Sequence, residues 1–265
     1  MTCSVPDPLF SLRSLAISFC NHVTLLAFLT VPAIANGATN GLDRSEQCVV
    51  VLTDDWVSTT GTLRRFERKG AASGWEHLGR DVAVVLGRKG LGEGRGLIHL
   101  NFNNPPRKSE GDDRAPAGIF KLSSAFGYAP KHSTTWIKLP YLTLLPETEG
   151  VDDPNSHYYN RLVDRSKVAR IDWRSSEQMR RDDDRYKWGI VVEHNPDAVP
   201  GAGSCIFLHV WKGPSILTSG CTAMAESDLA RLLRWLDPAR SPILVQMPRA
   251  VYRSIQTKYD LPPEG

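Results

Sequence analysis

Cys205-Ile206-Phe207-Leu208-His209-Val210, then a short loop holding Gly213 and Pro214, then Thr218-Ser219-Gly220-Cys221-Thr222, is the most informative stretch of the chain. The first run is apolar and of strand length, so it reads as a buried strand with His209 near its end. Cys221 follows Gly220, whose backbone freedom allows a tight turn. Cys221 lies twelve positions after His209. A loop of that length can bring an imidazole and a thiol together. An unperturbed thiol is mostly protonated at neutral pH, and a neighbouring imidazole activates it by stabilising the ion pair or by taking the proton during attack. Amides around Ser219, Gly220 and Cys221 could point at one spot and hold a developing oxyanion.

Working outward, Cys48–Thr53, Thr62–Arg68, Asp81–Leu86, Ile119–Leu122, Gly189–Glu193 and Ile243–Met247 complete the strand candidates. Their β-branched content and length fit strands better than helices. Leu229, Leu232, Leu233 and Leu236 recur at helical spacing behind Ser227, a capping residue, and Pro238 ends that helix. A second helix is expected to start near Ser175 or Ser176. Residues 100–185 are polar and weakly periodic, as binding loops are. The fold class is therefore mainly β, a β-rich sandwich-like domain with one or two packed helices. The chain has 265 residues, 41% hydrophobic, enough for one substantial core.

With 32 Lys+Arg against 29 Asp+Glu, the net charge is +3 and intermixed. No basic stripe suggests a nucleic-acid partner. The glycines of Gly87–Gly96 match neither a dinucleotide fingerprint nor a phosphate loop. Ser-x-x-Lys, Lys-Thr-Gly, Gly-x-Ser-x-Gly and His-Glu-x-x-His are all missing, which argues against the hydrolases that use them.

Residues 1–35 read as a cleaved signal peptide: an apolar stretch around Val23–Val31, Pro32, then the small-x-small Ala33-Ile34-Ala35. Ser18, Asn21, His22 and Pro32 interrupt the run, so it makes a poor membrane span, which needs ~20 apolar residues. Residues 36–47 form a linker, 48–248 the domain, and 249–265 a C-terminal tail. Export to the periplasm or cell-wall space leaves Cys48, Cys205 and Cys221, an odd number. Either all three are buried free thiols, or Cys48 pairs with Cys205 and leaves Cys221 available for chemistry.

The His209–Cys221 stretch resembles the L,D-transpeptidase catalytic domain (YkuD-type), whose signature is a histidine, a variable loop, then Ser/Thr-x-Gly-Cys. Gly87–Gly92, Glu110-Gly111-Asp112, Ala115–Phe120, Val151–Pro154, Tyr158-Tyr159-Asn160 and Gly203–His209 extend the likeness over roughly residues 48–248. The resemblance implies a β-rich fold and cysteine acyl transfer on peptidoglycan stem peptides, with no cofactor or metal. Carried over, Cys221 is the nucleophile, His209 the proton donor and acceptor, and Ser219 and Gly220 shape the turn that holds the intermediate. Tyr158, Tyr159 and Asn160 are substrate-binding candidates, with packing of the tyrosines in the core as the competing reading.

Many members carry an arginine just after the cysteine. Here Thr222-Ala223-Met224 follows, so an anion anchor must come from elsewhere, for example Arg161, Arg107 or Lys212. His194 is expected at a strand end, bonded to solvent. Asp152, Asp153 and His157 are expected in turns, and Arg180–Arg185 as a solvated charged segment. A thiol hydrolase on the same scaffold, an L,D-carboxypeptidase or amidase, and a non-catalytic wall-binding protein with Cys221 bridged are the competing readings.

Overall fold

The computed structural model describes residues 42–264. The leader expected over residues 1–35 and residues 36–41 of the linker lie outside that range. Among the described residues, no helix is long and apolar enough to cross a membrane.

The strands in chain order are β1 (Gln47–Thr53), β2 (Thr60–Glu67), β3 (Glu76–Val85), β4 (Leu91–Glu93), β5 (Ala115–Gly127), β6 (Tyr141–Thr143) and β7 (Thr148–Val151). They continue with β8 (Arg161–Asp164), β9 (Ser176–Gln178), β10 (Trp188–Val192), β11 (Phe207–Val210), β12 (Thr222–Met224) and β13 (Ile243–Pro248). Two helices, α1 (Glu226–Trp235) and α2 (Arg249–Ile255), sit late in the chain. The β-rich domain with packed helices forms as expected. Its large sheet runs β10-β11-β12-β3-β2-β1-β13-β5, and β5 also pairs with β10, which closes the ring into a barrel. Closure depends on the length of β5: Gly118–Lys121 pair with β13 and Leu122–Gly127 with β10.

Alternation across the strands separates two apolar clusters. On β11, Leu208 and Val210 face the main core with Ile190 and Met224, and Phe207 faces the other way, toward Phe126, Tyr186 and Cys221. Side chains at i and i+2 share a face, so His209 lies on the Phe207 side. A small sheet, β8-β7-β9, lies in the region read as loops, and neighbouring Leu144 and Met179 join the outer cluster.

Some local expectations need correction. No helix starts at Ser175 or Ser176: Ser176–Gln178 is β9, paired antiparallel with Glu149–Val151. That pairing is non-local and leaves no periodic trace in three residues. The leucines of α1 are buried as their spacing demands, but Ala225 occupies the N-cap without a side-chain bond, and Ser227 lies inside the helix. Residues 249–255 of the expected tail are α2, which fully buries Tyr252.

Candidate active site

β11 and β12 are parallel neighbours, with Leu208 opposite Thr222 and His209 opposite Ala223. A parallel pair needs a connection that runs back to its starting end. The loop 211–221 does this, so Cys221 arrives beside Phe207, two residues before His209 on the same face. Strand spacing puts the Cα atoms of Cys221 and His209 about 8 Å apart, within reach of an imidazole and a thiol arm. Both residues line one cavity of 270 Å³, together with Ser219 and Gly220.

The thiol sits at the edge of the outer cluster, and Cys221 is 9% exposed. The Phe207 N–H donates to Sγ at 3.4 Å, and the thiol in turn faces the Cys205 carbonyl at 3.7 Å. His209 is buried, with Nδ1 2.8 Å from the Val210 carbonyl oxygen. A carbonyl only accepts, so Nδ1 carries the proton and Nε2 of the neutral ring is the acceptor. Nε2 has no hydrogen-bond partner among the described residues. Tyr186 packs edge-to-face on the imidazole at 5.3 Å and donates its hydroxyl to Glu177 at 2.9 Å.

Burial dominates the electrostatics of the pair. It pushes the Cys221 thiol up to about 12, and the Glu177 carboxylate pushes the same way, against the Phe207 amide and the Lys108 charge. Burial also pulls His209 down to about 4. The resting pair is thus neutral thiol and neutral imidazole. Of the two activation routes open from sequence, proton transfer during attack fits this site, and a standing ion pair does not.

The turn before Cys221 is held by Thr218, which sequence reasoning passed over although it is the first residue of the Ser/Thr-x-Gly-Cys pattern. Its hydroxyl donates to the Cys221 carbonyl at 2.6 Å and accepts from the Gly220 N–H at 3.2 Å. The Gly220 amide is therefore committed to the turn. The Ser219 and Cys221 amides have no acceptor among the described residues, so these two are the available oxyanion donors. Gly220 has φ +157°, and a Cβ there would lie 3.1 Å from the Arg114 carbonyl oxygen.

Tyr158, Tyr159 and Asn160 do not line the Cys221 cavity. Tyr158 stacks edge-on against Trp173 at 5.4 Å. The buried Tyr159 donates to Glu110 at 2.5 Å and accepts from the Gly203 N–H at 3.1 Å. Asn160 donates to the His194 and Asn195 carbonyls and accepts from the Cys205 N–H, each at 2.9 Å. Tyr159 and Asn160 thereby fix the backbone that leads into β11, and they line a second cavity of 610 Å³ that shares Cys205 and Ile206 with the first.

Of the anion anchors considered from sequence, Lys212 lines the Cys221 cavity; Arg161 and Arg107 line others. The cavity also gathers Lys108, Glu110, Asp152, Glu177 and Arg185, which come from segments far apart in the sequence. Arg185 and Lys212 both pair with Asp183, so the Arg180–Arg185 segment is part of this wall and not simply solvated. Cys48, Cys205 and Cys221 are all free thiols, and Cys48 is a fully buried β1 residue. His194 is also buried, with both ring nitrogens hydrogen-bonded, contrary to its expected contact with solvent. Asp153 caps its turn by accepting from the Asn155 and Arg174 amides, and His157 pairs with Asp172.

Comparison with known proteins adds the family. No curated protein and no solved structure gave a significant match. A family model, the L,D-transpeptidase catalytic domain (YkuD), matches residues 56–245, which run from the turn before β2 into β13 and contain both His209 and Cys221. The chain therefore belongs to the L,D-transpeptidase catalytic domain family.

Proposed function

We propose that this protein is an exported cysteine acyltransferase that cross-links or remodels peptidoglycan stem peptides, with Cys221 as nucleophile and His209 as the proton carrier. Family membership supports activity on peptidoglycan. The observation that carries the finer reading is the meeting of Cys221 and the unpartnered Nε2 side of His209 on one cavity. Export rests on the leader-like residues 1–35, with the catalytic domain spanning 48–248.

In this mechanism the Cys221 sulfur attacks the carbonyl of the third stem residue as its proton passes to His209 Nε2. The Cys221 and Ser219 amides hold the oxyanion. Collapse breaks the amide bond, and the imidazolium gives its proton to the departing amine of the terminal residue. A thioester remains. An acceptor amine then attacks it with His209 again as base, giving a new amide and the free thiol. Because both groups start neutral, no charge separation is required before substrate binds.

Mass analysis of products from a defined tetrapeptide, with and without an amine acceptor, tests this reading. A cross-linked or amine-exchanged product that depends on the acceptor is expected. Tripeptide release regardless of acceptor would make the protein a hydrolase instead.

A further inference from the structure

The Cys221 cavity holds one cation of a different kind from the rest. Arg88 and Lys212 have side chains 52% and 49% exposed, and Arg185 leans with Lys212 on Asp183. The Lys108 side chain is 3% exposed. Its backbone N–H is tied to the Glu93 carbonyl at 3.0 Å, and its stem passes beneath Gly203. A Cβ on Gly203 would lie 3.0 Å from His194 Nε2, 3.1 Å from Lys108 Cε and 3.2 Å from Cγ, and Gly203 has φ +96°, which favours glycine on its own account. Glycine at 203 thus leaves room for both the Lys108 stem and the His194 ring.

Nζ donates to Asp112 Oδ1 and to the Ser109 carbonyl, both at 2.6 Å. An ammonium has three hydrogens, so one is left for a ligand. Asp112 also accepts from the Ser109 and Arg114 amides at 2.8 and 3.0 Å, which spreads its charge over three donors. A charge this buried is screened less by solvent and salt than the exposed cations are. Glu110, Asp152 and Glu177 line the same cavity and repel anions, so an acid enters only where a cation outweighs them.

We propose that Lys108 binds the terminal carboxylate of the donor stem and selects donors that end in a free acid. The inference rests on Cys221 being the reacting group. In such a donor the scissile carbonyl is followed by one residue that ends in a carboxylate, so an anion must be held one residue from the sulfur. Lys108 lines the same cavity as Cys221, and of the cations there it is the buried one.

The test is protection of Cys221 from alkylation by iodoacetamide in the purified protein, each rate taken relative to the same protein without ligand. N-acetyl-D-alanine should protect wild-type Cys221 from alkylation, and its carboxamide, which lacks the charge-assisted contact, should need at least about tenfold higher concentration for the same protection. Lys108→Met should lose the protection, and Lys108→Arg should restore part of it. Asp112→Asn, which frees the ammonium from its partner, should shift half-protection to lower acid concentration; this variant carries the test if Lys108→Met melts. Equal protection by acid and carboxamide, protection that survives in Lys108→Met, or no shift in Asp112→Asn would overturn the proposal. Protection does not depend on turnover. Failure of acyl transfer from every stem peptide would therefore sink the reading of function and leave this result to stand or fall alone.

Discussion

His194 and His209 are both buried, and burial pulls both imidazoles down to about 4. Their surroundings separate them. At His194, Nδ1 accepts from the Arg95 amide at 3.3 Å and Nε2 donates to the Ala202 carbonyl at 2.9 Å, so the ring is used up holding two loops together. At His209 one nitrogen is anchored on Val210 and the other is left for the cavity of Cys221. The tautomers are opposite as well, Nε2–H in one and Nδ1–H in the other. Neither burial nor a displaced pKa marks a reacting histidine. In the proposed mechanism the nitrogen without a partner does.

That contrast can be broken by mutation. His209→Ala should slow acylation of Cys221 by about 10²–10⁴-fold, the usual weight of a general base, with little change in melting temperature. His194→Ala should do the reverse. It should cost about 2–4 kcal/mol of stability through lost packing and two orphaned partners, with acylation per folded molecule nearly kept. If urea midpoints and acylation rates of the two variants fell in parallel, the division of roles would be wrong.

Thr218→Val probes the loop that delivers the thiol. It removes both bonds that hold the Gly220 amide and the Cys221 carbonyl, and should slow acylation about tenfold or more, since each bond is worth ~1–1.5 kcal/mol. An unchanged acylation rate would show that the turn is set by Gly220 alone.

The pH dependence sharpens the same comparison. With the thiol near 12, alkylation of Cys221 should climb about tenfold per pH unit from neutral pH through pH 10 without a plateau. A plateau near neutrality would reveal a thiolate–imidazolium pair. Stability also rises with pH, but in a lower window. Both histidines have folded pKa values below the ordinary 6.5, so the unfolded chain takes up protons first as pH falls. Their contribution is complete above 6.5 and is lost as pH falls from there toward 4. Urea midpoints across that window should show the loss, and His194→Phe should reduce it.

The barrel strands were legible because β-branched runs such as Cys48–Thr53 carry their own signal, and α1 because four leucines keep one face. The His209–Cys221 convergence could be anticipated from spacing. Its precise form, a parallel β11–β12 pair with both side chains on the outer face, follows from a register that no local pattern encodes. β9 was misread because its three residues are strand only by virtue of β7. His194 looked solvent-facing because its partners, Arg95 and Ala202, come from other loops. Lys108, Glu177 and Tyr186 were missed for the same reason: each is an ordinary residue until folding places it in the cavity wall. Thr218 was the exception, since the motif contained it.

The most direct test of the central claim is intact-mass and peptide mapping after brief incubation of the purified protein with a peptidoglycan tetrapeptide. The account predicts a tripeptidyl thioester on Cys221, absent from Cys221→Ala. No adduct with a competent stem, or an adduct on Cys205 or Cys48, would contradict it.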